Sequence, residues 1–164
     1  MAKPFIRLAT LADVHYLAEN LSDADRAEIY YLSGASPLQA IHDGFIAGTC
    51  YAVDVDGRCV VMFGVNGPKG EAAAPWMLCT DEIHKATNLI REARKIVKNM
   101  LNDHPFLANM AWSKNSVHLK WIEWLGFTFT GDKHISNGET FLWFGLRKAP
   151  PSINSRIKNG GTHV

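Results

Sequence analysis

Strand-like and helix-like segments interleave along this chain, which predicts an α/β (α+β) domain, a mixed twisted sheet with helices on both faces. Three observations carry that expectation. Short apolar or alternating stretches recur between turn signals, as strands do. Apolar residues spaced three and four apart over 83–100 predict one long helix. Asp56-Gly57 sits between two apolar runs, the pattern of a tight hairpin.

The 164 residues suffice for one compact domain. A chain of that length can bury roughly 70% of its unfolded surface, so it needs neither disulfide nor metal to fold. With 47% apolar and 20% charged residues the composition excludes wholesale disorder. Seventeen Lys and Arg against sixteen Asp and Glu leave a net charge of +1. That balance points away from nucleic acid, an anionic membrane or a basic partner. No apolar run approaches the ~18 residues of a membrane span. Arg7, Asp13 and His15 stand where a signal peptide needs an apolar stretch. A soluble, intracellularly made, single-domain protein is expected.

Phe5–Thr10 alternates loosely and reads as a first strand, with Thr10 capping a helix through Leu11, Val14, Leu17, Ala18 and Leu21. Ser22, followed by Asp23, Asp25 and Glu28, starts a second helix that turns Ile29 and Leu32 inward and ends at Gly34. Ser36-Pro37 opens a third, with Leu38, Ile41, His42 and Phe45 on its inner face. TCYAVDV and RCVVMFGV form the hairpin, and PWMLCT is the next strand after a turn-rich break. Thr80 caps the long helix, about Asp81–Asn102. Ile83, Ile90, Val97 and Met100 face its core side, and Lys85, Arg91, Arg94, Lys95 and Lys98 its solvated side. FLANMAW is a strand, Ser113–Leu125 a helix with Val117, Trp121, Trp124 and Leu125 as its apolar side, and Gly126 its C-terminal stop. Two final strands flank the turn Ser136-Asn137-Gly138. Residues 1–149 are expected as the domain and 150–164 as a flexible C-terminal tail or docking arm.

The cysteines, Cys50, Cys59 and Cys79, lack CxxC spacing and fall in strands. They read as buried apolar side chains in a reducing compartment. With a two-residue turn at Asp56-Gly57, Cys59 faces Asp54 and Cys50 faces Phe63, so no Cys50–Cys59 bridge is expected. The seven histidines are isolated, and no metal-ligand spacing is present.

Asn115, ten intervening residues and then Gly126-Phe127 resemble a motif of the GCN5-related N-acetyltransferase (GNAT) superfamily, and the element order resembles that superfamily over about Phe5–Lys148. Within it, WMLCTDEI, FLANMAW and the stretch from Asn115 to Phe127 look most like small phage proteins called internal virion protein A. The superfamily resemblance implies an acetyl-coenzyme A site. If an acyl-coenzyme A binds, Leu78, Thr80, Lys85 and Asn115 are the residues implied to meet it.

Three parts of that chemistry are affected. The superfamily's glycine-bearing pyrophosphate turn corresponds to Thr80–Ala86, which contains no glycine and opens with Asp81 and Glu82. Those acids favour the helix dipole and repel a pyrophosphate. The position of the superfamily's frequent Tyr general acid is Ile122. His84, His118, Glu71 and Glu123 are candidate bases, none singled out by spacing. The preferred expectation is therefore a degenerate acetyltransferase-like phage virion or assembly protein without cofactor, metal or catalytic residues. It would act through phage structural or assembly proteins in the virion or host cytoplasm. The alternative is an acyl-coenzyme A-dependent N-acetyltransferase with an atypical site.

Overall fold

The computed structural model describes residues 3–150. Its elements run β1 (Phe5–Leu8), α1 (Leu11–Asn20), α2 (Asp23–Ser33), α3 (Pro37–Ala47), β2 (Cys50–Val55), β3 (Arg58–Asn66) and β4 (Ala74–Cys79). A 3₁₀ segment (Asp81–Leu89) leads into α4 (Ile90–Asp103), followed by β5 (Phe106–Trp112), α5 (Ser116–Trp124), β6 (Thr128–Ser136) and β7 (Glu139–Arg147). The expected arm beyond residue 150 lies outside the described residues.

The strands form two antiparallel sheets, β1-β2-β3-β4 and β5-β7-β6. The expected mixing of strand directions is confined to one parallel bridge, Ala73↔Leu107, at the base of β4 and β5. Helices cover both faces. Val14, Leu17 and Ile41 pack with Ala52 and Met62 on one. Val97, Met100, Trp121 and Ile122 pack with Val53, Val61, Phe63 and Leu107 on the other. Each fully buried aliphatic side chain there stabilises the fold by about 1.5–3 kcal/mol.

Local chemistry sets the helix ends. Thr10 and Asp13 form a reciprocal capping box. Ser22 and Ser36 cap α2 and α3, Pro37 occupies the first turn of α3, and Gly34 closes α2 at φ 70°. In the β2–β3 hairpin Asp56 and Gly57 both take positive φ, 50° and 81°. A bulge at Val53/Asp54 shifts the ladder beyond it, so Cys50 faces Gly64 and not Phe63. All three thiols are free and buried.

The long helix is divided. From Asp81 to Leu89 it is wound as 3₁₀, where side chains three apart eclipse. Ile83, Ala86 and Leu89 keep that spacing and all join the core cluster. From Ile90 onward, Ala93, Val97, Met100 and Leu101 alternate threes and fours, and the α form follows. Ile90 is only half-buried. Helix α5 is rotated from its expected setting: it buries His118, Trp121 and Ile122, leaving Val117 and Trp124 43% and 40% exposed. Leu32 and Leu38 also face solvent.

Candidate functional site

Strands β4 and β5 are the facing margins of the two sheets, and above Ala73↔Leu107 no ladder joins them among the described residues. Helix α2 brings Asp25 and Glu28 to this crevice from one turn of its inner face. Helix α5 brings Asn115, its N-cap, and His118 from its first turn. All four are at most 8% exposed.

Their bonds form one network. Asp25 Oδ2 accepts from the Cys79 backbone N–H at 2.8 Å, and its Oδ1 accepts from Asn115 Nδ2 at 2.8 Å. Glu28 Oε1 accepts from the Trp112 backbone N–H, and Oε2 from Asn115 Nδ2 at 3.3 Å. His118 Nδ1 lies 3.1 and 3.2 Å from the two Glu28 oxygens. Burial pushes the Asp25 carboxyl up, with the Glu28 charge adding to it against the pull of His118. For His118 burial alone lowers the pKa, but the charge and hydrogen bond of Glu28, with Asp25 behind, outweigh it and the pKa is raised.

Ligand atoms of Asp25, Glu28 and His118 lie within 4.8 Å of one another, a grouping that the isolated positions in sequence did not announce. Each carboxylate oxygen already accepts an N–H from the protein, so both acids are held in place by the chain's own donors. Neither acid was expected to be buried. In the sequence they read only as part of a helix start, and their partners, 54 to 90 positions away, make burial tolerable.

The residues implied to meet an acyl-coenzyme A are only partly gathered. Thr80 and Asn115 border one cavity of about 170 Å3, together with Asp81 and Ile83. Leu78 borders another, of about 360 Å3, whose wall includes Trp76, Glu28, His118 and Asp43. Lys85 is exposed and pairs with Glu82 at 2.8 Å. Thr80 Oγ1 accepts from the Glu82 N–H at 3.2 Å, and Asn115 is spent on the two carboxylates. Among the candidate bases, His84, Glu71 and Glu123 are exposed, and only His118 reaches the crevice. Ile122, at the general-acid position, is buried in the core.

The electrostatics of the 80–86 turn differ from expectation. Glu82 is held by Arg58 at 2.8 and 3.0 Å and by Lys85 at 2.8 Å. The Arg58 hydrogen bond, seconded by Lys85, pulls its pKa down to about 2. Its charge is thus matched, and the repulsion of an anion reduces to that of Asp81. The steric objection stands, because every residue of the turn carries a Cβ, and the Glu82 and Ile83 N–H groups already donate to the Thr80 hydroxyl and carbonyl oxygens. These residues do not fit a coenzyme pyrophosphate.

No family model and no curated protein matches this chain. Solved structures do. An acetyltransferase of the GNAT family from Bacillus anthracis superposes with a TM-score of 0.64 at 14% identity, covering 90% of this chain and 96% of its own. AAC(6′)-Ib in complex with paromomycin and acetyl-CoA gives 0.60 at 16% identity, covering 99% of both chains. A spermidine N-acetyltransferase chimera from Vibrio cholerae gives 0.58 at 15%, covering 90% of this chain and 97% of its own. Nothing in these comparisons supports the narrower phage resemblance. With helices on both faces of paired sheets and this likeness over nine-tenths of its length, the chain has the GNAT acetyltransferase fold.

Proposed function

We propose that this chain uses the GNAT fold to bind a protein partner and does not transfer an acyl group. The observation that carries the reading is the Thr80–Ala86 turn, where a glycine-free 3₁₀ segment stands in the place of an anion cradle. Fold alone does not assign function; sites do. A surface suited to a partner exists at the outer margin of the first sheet. Among the described residues strand β1 pairs only with β2, and Phe5 and Leu8 on it and Leu11 at the start of α1 are 48%, 63% and 51% exposed. Such an edge accepts an added strand, with apolar side chains supplying contact area. The phage resemblance gives the partner class, a virion or assembly protein met in the particle or the host cytoplasm. In this reading the working unit is the domain 1–149, and no cofactor is required.

A second reading, an acyl-coenzyme A-dependent N-acetyltransferase with an atypical site, is favoured by the likeness to AAC(6′)-Ib with its acetyl-CoA. The 360 Å3 cavity adds to it, since Glu28 and His118 meet Trp76 there in a space large enough for a small amine. Leu78, Thr80, Lys85 and Asn115 would then meet the coenzyme. Calorimetric titration with acetyl-CoA decides between the two. No heat of binding up to millimolar ligand is expected; micromolar affinity, with coenzyme A release in the presence of amines, would establish the enzyme.

A further inference from the structure

The backbone groups that β4 and β5 turn toward each other can be followed residue by residue. Thr80 N–H bonds Val60 on β3, so residues of the opposite parity on β4 face the crevice. At Cys79 the N–H goes to Asp25 and the C=O accepts from Ser22 N–H at 2.9 Å. At Pro75, which has no N–H, the C=O accepts from Asn109 Nδ2 at 2.9 Å. At Ala73 both groups are engaged by β5, through Phe106 O and Ala108 N. On β5 the Ala108 N–H goes to Ala73 O, the Met110 N–H to Asn109 Oδ1 at 2.7 Å, and the Trp112 N–H to Glu28. The crevice margins are thus bonded by the chain's own groups at both ends, with Met77 between them.

We infer that residues 21–28 act as a built-in occupant of the crevice, with Asp25 and Glu28 standing where an extended ligand such as an acyl-coenzyme A would bond the strand edges. Leu21 pairs with Thr80 in an antiparallel bridge, and Ser22 continues onto Cys79, so the segment entering α2 lies against the end of β4 as an added strand would. Asn115 and His118 then pin the two carboxylates from α5. The inference deepens the partner-binding reading by giving a physical reason for exclusion of the coenzyme: ligand and α2 compete for the same N–H groups. Displacing the carboxylates exposes the Cys79 and Trp112 N–H groups and admits an amide-bearing chain.

Amide hydrogen exchange on the whole chain, with acetyl-CoA and pantetheine titrations alongside, tests this. In the unaltered protein the Cys79 and Trp112 amides are expected to exchange at least a hundredfold more slowly than exposed amides. Asp25→Ala is expected to speed Cys79 tenfold or more while sparing Trp112, and Glu28→Ala to do the reverse. The double variant is expected to gain affinity at least tenfold for pantetheine, the amide-bearing arm of the coenzyme that lacks the pyrophosphate the 80–86 turn does not fit. Rapid exchange at Cys79 and Trp112 in the unaltered protein overturns the inference without any variant having to fold. A double variant that loses protection yet gains no affinity overturns it too. Micromolar acetyl-CoA binding by the unaltered protein with both amides still protected removes the partner-binding reading alone, because the coenzyme then lies elsewhere. The same binding with protection lost removes both.

Discussion

His118 sits buried beside two carboxylates on α2, and its charge state decides whether that cluster is balanced. Its folded pKa is raised above the ordinary value of 6.5, so the folded protein holds the proton more tightly than the unfolded chain. The stability this contributes is complete below the unfolded pKa and is lost as pH rises through the folded one. Asp25, also raised, acts with the same sign, its contribution being lost as pH rises above the ordinary carboxyl value of 3.8 through the folded one. Melting temperature should therefore fall as pH climbs above about 6.5 through the folded value, and His118→Gln should flatten that slope. An equally steep slope in the variant would place the titration elsewhere. A second residue-scale test concerns Trp76, wedged between Gly44 and Gly64. A Cβ on Gly44 would stand 2.8 Å from its ring. Gly44→Ala gains about 1 kcal/mol of helix propensity but overpacks this contact, and a net loss of roughly 1–3 kcal/mol in denaturant titration is expected.

Among the elements, α5 separates what side-chain pattern reveals from what it conceals. Its apolar residues allow two faces, and Val117 with Trp124 looks as persuasive in sequence as Ile122 with His118. Partners decide it: His118 can turn inward only because Glu28 awaits it from α2, ninety positions away. Ile122→Ala, at 3% exposure, should cost about 2–5 kcal/mol. Val117→Ala should stay within about half a kcal/mol of the parent. The reverse ranking in urea titrations would return the helix to its expected setting. Elements set by local chemistry were legible, including the Ser22 and Ser36 caps, the Asp56-Gly57 turn and the Gly126 stop, because each rests on neighbours within a few residues. The 3₁₀ segment was not read, because Ile83, Ala86 and Ile90 fit a single long helix over Asp81–Asn102 equally well. The crevice was not, since Asp25, Glu28, Asn115 and His118 come from two helices and mean nothing until the chain is folded.

For the molecule as a unit, the two sheets meet through one parallel bridge, the side chain of Asn109, the crevice network and a shared core cluster. No helix among the described residues is long and apolar enough to cross a membrane. Leu107, fully buried in the cluster that both sheets share, is the position where truncation should weaken them together. Leu107→Ala is expected to cost about 2–5 kcal/mol in a single transition. Two separated transitions would show the sheets to be independent.

The placement of the thiols supplies a clock for that question. Cys50, Cys59 and Cys79 all belong to β2, β3 and β4, and the sequence holds no other cysteine, so thiols mark one sheet exclusively. Burial pushes the Cys50 and Cys59 thiols up to about 12 and raises Cys79 as well, leaving almost no thiolate to react in the closed state. Alkylation by iodoacetamide therefore proceeds only through opening of the first sheet, and its rate counts those openings. Four of the five tryptophans, Trp112, Trp121, Trp124 and Trp143, lie in β5, α5 and β7, so fluorescence follows the other half. Equal free energies from labelling and from fluorescence would mean that this protein opens as a single body. A lower value from labelling would mean that the first sheet breathes while its neighbour stays closed.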